Sequence, residues 1–273
     1  MDYGTLLLLF AGGCAGGLLA GLLGVGGGLV FVPIFTNYLV ALGIVDDKIA
    51  QIIIANSMFA IFFAGISGSI KHYLSGHLYF KPVIISGVMA SITSIGATYL
   101  INHTSWYNKQ VFAVIFISIA AYVAYSIFSG KSDKKQMVEE DFSSNKFLQI
   151  GGLGGLLAAL SGVGGGIIMV PMLVKMLKMN IKKATAISLG IITIMALASS
   201  IYSMSIKLNT ITNIPYTHGL IIFPMVVPVI IGCIICSPFG VVLSKKIPEK
   251  TIQLMFAAFL VLVILNMIYN LWL

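Results

Sequence analysis

Gly24-Val25-Gly26-Gly27-Gly28-Leu29-Val30-Phe31-Val32-Pro33 is met again, almost letter for letter, as Gly162-Val163-Gly164-Gly165-Gly166-Ile167-Ile168-Met169-Val170-Pro171, at an offset of 138 residues (162 − 24). Four glycines in five residues, then four apolar residues and a proline, constitute one structural device used twice. Both copies lie inside long uncharged runs. Each glycine there weakens a helix by about 1 kcal/mol relative to alanine, so each copy breaks a helix and something must compensate for the break. The proline five residues after the last glycine suits the opening of a new helix, where a first-turn amide has no intrahelical acceptor to lose.

The composition around the blocks selects the solvent. Hydrophobic residues make up 59% of the 273, only 9% are charged, and the mean hydropathy is +1.04. No soluble core needs such values, so the chain belongs in a bilayer. Its 16 lysines and 8 acids, with no arginine, leave charge-free runs at 3–45, 49–70, 82–108, 110–130, 147–174, 184–206, 208–244 and 251–273. Each is at least as long as the roughly 20 residues that a helix needs to cross about 30 Å of hydrocarbon. Helices are expected because a chain in lipid must satisfy its own backbone hydrogen bonds, and the weak alternation of a membrane barrel is absent. The net charge of +8 comes from lysines that flank the apolar runs. That pattern fits the positive-inside rule and not a nucleic-acid surface.

In order, the pattern predicts helical pieces over 5–23 and 29–42, then helices over 49–70, 82–101 and 110–129. The second half repeats them: a broken segment over 147–177 and helices over 183–205, 217–244 and 251–272. Residues 130–146 carry eight charges and form the linker. The duplication continues past the glycines, with Ala55-Asn56-Ser57 opposite Ala186-Ile187-Ser188 at an offset of 131 and Thr93–Gly96 opposite Ser237–Gly240 at 144. Cys14, Cys233 and Cys236 fall in apolar runs and are expected to be packing residues; no metal ligand set, cofactor motif or catalytic group is apparent.

Counting lysines orients the segments. If each broken segment crosses the membrane once, the lysines divide seven against nine. If each enters and returns to the same side, as a re-entrant hairpin or as two short crossings, the division is thirteen against three, with only Lys48, Lys109 and Lys207 outside. The second arrangement gives each half an odd number of full crossings, so the halves lie in opposite orientations. The expected fold is therefore an all-α polytopic membrane protein of two inverted repeats, each a glycine-broken hairpin or half-helix segment plus three transmembrane helices. Residues 1–129 form the first repeat, 130–146 a cytoplasmic linker and 147–273 the second repeat, with both termini outside a cell inner membrane.

Two interrupted helices that meet near the bilayer midplane present unpaired amides and the positive ends of two macrodipoles, and bare glycine lets a ligand approach closely. This makes an anion site without a charged side chain. No Asp, Glu, Lys or Arg lies inside any charge-free run, which disfavours a cation pump or a carboxylate proton relay. The candidate binding residues are Gly26, Gly27, Gly28 and Leu29 in the first copy and Gly164, Gly165, Gly166 and Ile167 in the second. Hydroxyl and amide groups nearby complete the set: Asn56, Ser57, Ser161, Thr185 and Ser188. Pro33 and Pro171 are the helix-break residues, and His72 and His218, at membrane edges, are candidates for proton coupling.

The doubled glycine-proline block and the Ala-x-Ser that follows each copy (55–57, 186–188) resemble the TauE/SafE family of sulfite exporters and related permeases. That resemblance covers nearly the whole chain and implies movement of sulfite, sulfonates or other small organic anions across a bacterial inner membrane. Asn56 and Ile187 depart from the small residues expected before each serine. The expectation is a secondary transporter of a small anion working by alternating access. An anion channel shares the site, and a structural membrane subunit is the alternative of another class. The only partners expected are the small anionic substrate and the lipid bilayer, with homodimer formation left open and nucleic acid excluded.

Overall fold

The computed structural model describes residues 3–44, 48–75, 79–104, 107, 109–128, 143–206 and 215–248, with six further positions at 251, 254, 261, 264, 265 and 268. Most of the charged linker and of the segment expected to form a helix over 251–272 lie outside the described residues.

Nine helices and one short hairpin make up the described chain. They are α1 (Tyr3–Leu23), α2 (Gly28–Ala41), α3 (Ile49–Leu74), α4 (Phe80–His103), α5 (Lys109–Phe128), α6 (Ser144–Ser161), α7 (Gly166–Met176), α8 (Ile181–Ser205) and α9 (Phe223–Lys246), with β1 (Thr217–His218) and β2 (Ile221–Ile222) paired antiparallel just before α9. The all-α polytopic class holds: α1, α3, α4, α8 and α9 are each long and apolar enough to cross a membrane. Apolar side chains such as Ile84, Val88, Ile92, Ile231, Ile235 and Phe239 face outward. In water that surface would be untenable; in lipid it costs nothing.

Glycine sets the helix pairing. A methyl carbon added at Gly13 would lie 2.2 Å from the Val229 carbonyl oxygen, and one at Gly17 would lie 2.8 Å from Cys233 Cα, so α1 and α9 pack backbone to backbone and run parallel. The same contact recurs where Gly151 meets the Ser86 carbonyl at 2.3 Å and Gly155 meets the Ala90 carbonyl at 2.3 Å, which sets α6 parallel to α4. Lipid tails are as apolar as leucine, so helices in a bilayer gain from this close approach and not from hydrophobic exclusion. Each pair joins one half of the chain to the other.

The remaining directions follow from named contacts. Ser67 Oγ donates to the Ile234 carbonyl at 2.9 Å and Asn56 reaches Leu220, so α3 is parallel to α9. Gly65 lies against Thr193 and Gly68 against Leu189, so α3 and α8 are antiparallel. Gly12 meets Ile34 and Gly16 meets Phe31, which folds α2 back along α1; Gly154 meets Met169 in the corresponding pair. α1 ends at Leu23 with Gly21 against Ser237, while α9 continues to Lys246.

One sequence alignment needs correction. The expected match of Thr93–Gly96 with Ser237–Gly240 at 144 is out of register by one residue, because the packing contacts correspond at 143 (229 − 86). A methyl carbon at Gly240 would lie 2.2 Å from the Leu18 carbonyl oxygen, whereas one at Gly96 would meet open space; Ala97, not Gly96, holds the equivalent place.

Candidate functional site

Each glycine block is a left-handed connection between two helices. Gly24, Gly26 and Gly27 have φ of +67°, +81° and +79°, and Gly162, Gly164 and Gly165 have +68°, +87° and +71°. Gly27 caps α2 and Gly165 caps α7 without any side-chain acceptor. The Gly24 and Gly162 amides still bond backward, to Ala20 at 2.9 Å and Ala158 at 2.8 Å. Among the described residues, no hydrogen bond of ordinary length and angle takes up the amides of Val25, Gly26, Gly27, Gly28 and Leu29, or those of Gly164, Gly165, Gly166 and Ile167. All of these residues are buried. Orphaned main-chain donors are rare in native proteins, and a cluster of them inside the protein is a demand for an acceptor.

The two breaks hold each other. Ser57 Oγ donates to the Gly162 carbonyl at 2.6 Å, and Ser188 Oγ donates to the Gly24 carbonyl at 2.9 Å. Gly28 and Gly166 pack in the same reciprocal way. A methyl carbon at Gly28 would be 2.6 Å from the Gly162 oxygen, and one at Gly166 would be 2.5 Å from the Gly24 oxygen. Only the absence of a side chain permits that approach. Each serine thus engages one carbonyl of the opposite break, while the N-termini of α2 and α7 bring the positive ends of their dipoles to the breaks.

The other expected site residues distribute as follows. Leu29 and Ile167 are buried first-turn residues of α2 and α7. Ser161 Oγ donates to Leu157 at 2.7 Å and accepts from the Val163 amide at 3.3 Å, so it tidies the end of α6. Thr185 Oγ1 donates to Lys182 within its own helix at 2.9 Å, although the Thr185 backbone touches Gly24. Asn56 is employed elsewhere: Nδ2 donates to the Ile52 and Leu220 carbonyls, both at 2.8 Å, and Oδ1 accepts from the Ile222 amide at 2.9 Å. It staples the β1–β2 hairpin to α3 and directs none of these bonds to the breaks. Pro33 and Pro171 stand at the sixth position of α2 and α7, beyond the first turn expected for them. There each removes the amide that would have bonded the carbonyl four residues back, at Leu29 or Ile167. His72 is buried in the last turn of α3, and His218 is exposed in β1. Since α3 and α9 run parallel, these histidines lie at opposite ends of the bundle.

Sequence reasoning passed over Ile61 and Ile192. Both are fully buried, and both stand between the glycine blocks: a methyl carbon at Gly26 would be 3.0 Å from Ile61 and 3.2 Å from Ile192, and one at Gly164 would be 3.1 Å from Ile61 and 3.5 Å from Ile192. The signal was available, since they are related by the same offset of 131 (192 − 61) as Ser57 and Ser188.

The sequence profile of a family described as "Sulfite exporter TauE/SafE" matches residues 8–267, which includes both glycine blocks and both serines. The chain belongs to the TauE/SafE family. Similar proteins include a probable membrane transporter protein of Methanocaldococcus jannaschii, 30% identical over 93% of this chain and 91% of its own length. Another is a probable membrane transporter protein of Haemophilus influenzae, 27% identical over 96% and 97%. The probable membrane transporter protein YunE of Bacillus subtilis is 21% identical over 97% and 98%. Family, relatives and membrane-length helices together make this TauE/SafE chain a multi-pass membrane transporter.

Proposed function

We propose that the protein is a secondary transporter of a small anion: sulfite, a sulfonate or another small organic anion. The observation that carries this reading is the pair of buried breaks, each opening a helix with amides that have no protein acceptor among the described residues, held together by Ser57 on the Gly162 carbonyl and Ser188 on the Gly24 carbonyl. Gly26, Gly27 and Gly28 with Leu29, and Gly164, Gly165 and Gly166 with Ile167, would hold the substrate through the main chain. The family description names sulfite, a small tetrahedral-type acceptor suited to several N–H donors at once.

Transport would proceed by rocking of two inverted repeats, the first ending before the 130–146 linker and the second beginning after it. Support comes from helix directions. Segments that return to their side of entry require α3 and α9 to run parallel and α3 and α8 antiparallel, as the Ser67, Asn56 and Gly65 contacts have them. Single crossings would reverse the first relation. Together with the lysine distribution, these directions support a reading in which both termini lie outside the inner membrane and the linker lies in the cytoplasm. The close packing between the breaks favours a carrier over a channel, since a channel needs a continuous water path.

Tracer sulfite flux into proteoliposomes tests the reading. Flux should saturate, show counterflow and be competed by methanesulfonate but not by neutral dimethyl sulfone of similar shape. Gly27→Leu and Gly165→Leu should each reduce it to background. Wild-type flux that is indifferent to the charge of the competitor would overturn the anion site.

A further inference from the structure

The two glycine blocks touch backbone to backbone at Gly28 and Gly166, and where they part, between Gly26 and Gly164, two isoleucines fill the gap. Ile61 sits near the middle of α3 and Ile192 near the middle of α8, and the Gly26 and Gly164 positions are each in contact range of both side chains. Ile192 also reaches within 2.5 Å of a methyl placed at Gly166. The space between Gly26 and Gly164, beside the amides of both breaks, is therefore filled with branched hydrocarbon. An anion and an isoleucine cannot share it: an ion in contact with hydrocarbon on one side forfeits solvation that a few amides replace only when they surround it.

We propose that Ile61 and Ile192 are the occluding pair of the transporter, a two-residue apolar plug that covers the amides in the empty state and withdraws to admit the anion. This rests on the anion-site reading and adds to it a coupling between access and affinity. The amides are buried and without a protein acceptor while the plug is in place, and become a binding surface when it moves. Because the pair is related by the same offset as the two serines, each half contributes one arm, and each arm contacts both breaks. Among the described residues the gap between Gly26 and Gly164 is thus closed, and leakage there is suppressed by packing and not by charge.

The experiment uses the full chain in proteoliposomes with sulfite as the probe. Ile61→Ala and Ile192→Ala should raise downhill sulfite efflux on the order of tenfold, the change given by a shift of about 1.4 kcal/mol in the closed-to-open balance, and should weaken counterflow. Ile66→Ala, on an outward-facing position of the same helix, should change neither. If the alanine variants fail to fold, Ile61→Cys in a chain whose Cys14, Cys233 and Cys236 are replaced by alanine decides the matter. A membrane-impermeant anionic thiosulfonate should modify it during methanesulfonate flux, and excess methanesulfonate, which does not react with the reagent, should slow the modification. An Ile61→Cys thiol that stays unmodified from both sides while methanesulfonate is carried would overturn the plug and leave the anion site standing. A wild-type protein that carries no small anion would remove both.

Discussion

Ser57 and Ser188 each spend a hydroxyl on a carbonyl of the opposite half, at full burial. Alanine at either position strands a buried acceptor, a loss of about 1–3 kcal/mol. Each single substitution should therefore lower the thermal midpoint in detergent by a similar amount, and a shift from only one of them would show the two contacts to be unequal. The glycines separate by the same logic. Gly28→Ala drives a methyl into the Gly162 carbonyl and should abolish a monodisperse folded peak in size-exclusion chromatography. Gly96→Ala meets open space within α4 and should stabilise by up to about 1 kcal/mol through helix propensity alone. The serines and the glycines were legible in the sequence because they interrupt long apolar runs and recur at fixed offsets. Ile61 and Ile192 recur as well, but isoleucine in an apolar helix carries no contrast, and periodicity does not say which apolar face meets which.

α9 begins at Phe223 and not at the expected 217, because the β1–β2 hairpin occupies 217–222. The other described helices were readable to within a few residues, since charge-free runs of membrane length admit little else. Helix partners were not. The four-residue spacing of Gly13, Gly17 and Gly21 and of Gly151 and Gly155 marks close-packing faces, yet spacing names no partner, and α9 and α4 emerge only from the three-dimensional contacts. The β1–β2 hairpin was also hidden, because Thr217 to Ile222 continues an apolar run and its anchor is a single side chain on α3. Asn56→Leu removes the acceptor of the Ile222 amide and the donor to Leu220. Hydrogen–deuterium exchange at residues 220–222 should then accelerate on the order of tenfold or more, as the loss of about 1–3 kcal/mol of buried hydrogen bonding implies. Unchanged protection there would mean that the Leu220 amide bond to the Ser203 carbonyl holds the hairpin by itself. The matching position in the second half is Ile187, whose apolar side chain can make no such staple.

At the scale of the whole molecule, the two halves exchange their partners. α1 lies on α9, α6 lies on α4, and each break is bonded by a serine from the other side of the linker. The lysine count anticipated the directions because membrane insertion reads charge at loop ends, and that rule is indifferent to packing. It could not anticipate that neither half is closed on itself. The topology has its own test: in a chain whose native cysteines are replaced, Lys131→Cys should react with impermeant maleimide only from the cytoplasmic side and Asp46→Cys only from the opposite side. Labelling of both from one side would end the two-fold arrangement and with it the rocking motion.

The α1–α9 pairing also has a consequence for how the protein is made. Gly13 is synthesised 216 residues (229 − 13) before the Val229 backbone that covers it. Until then the glycine face of α1 has only lipid or the insertion machinery to rest against, and the bare amides of the first break wait for the second. The first half must therefore persist in the bilayer as an unfinished intermediate, exposed to quality-control proteases. Premature stops before α9 should leave no stable fragment, and stops after Lys246 should begin to.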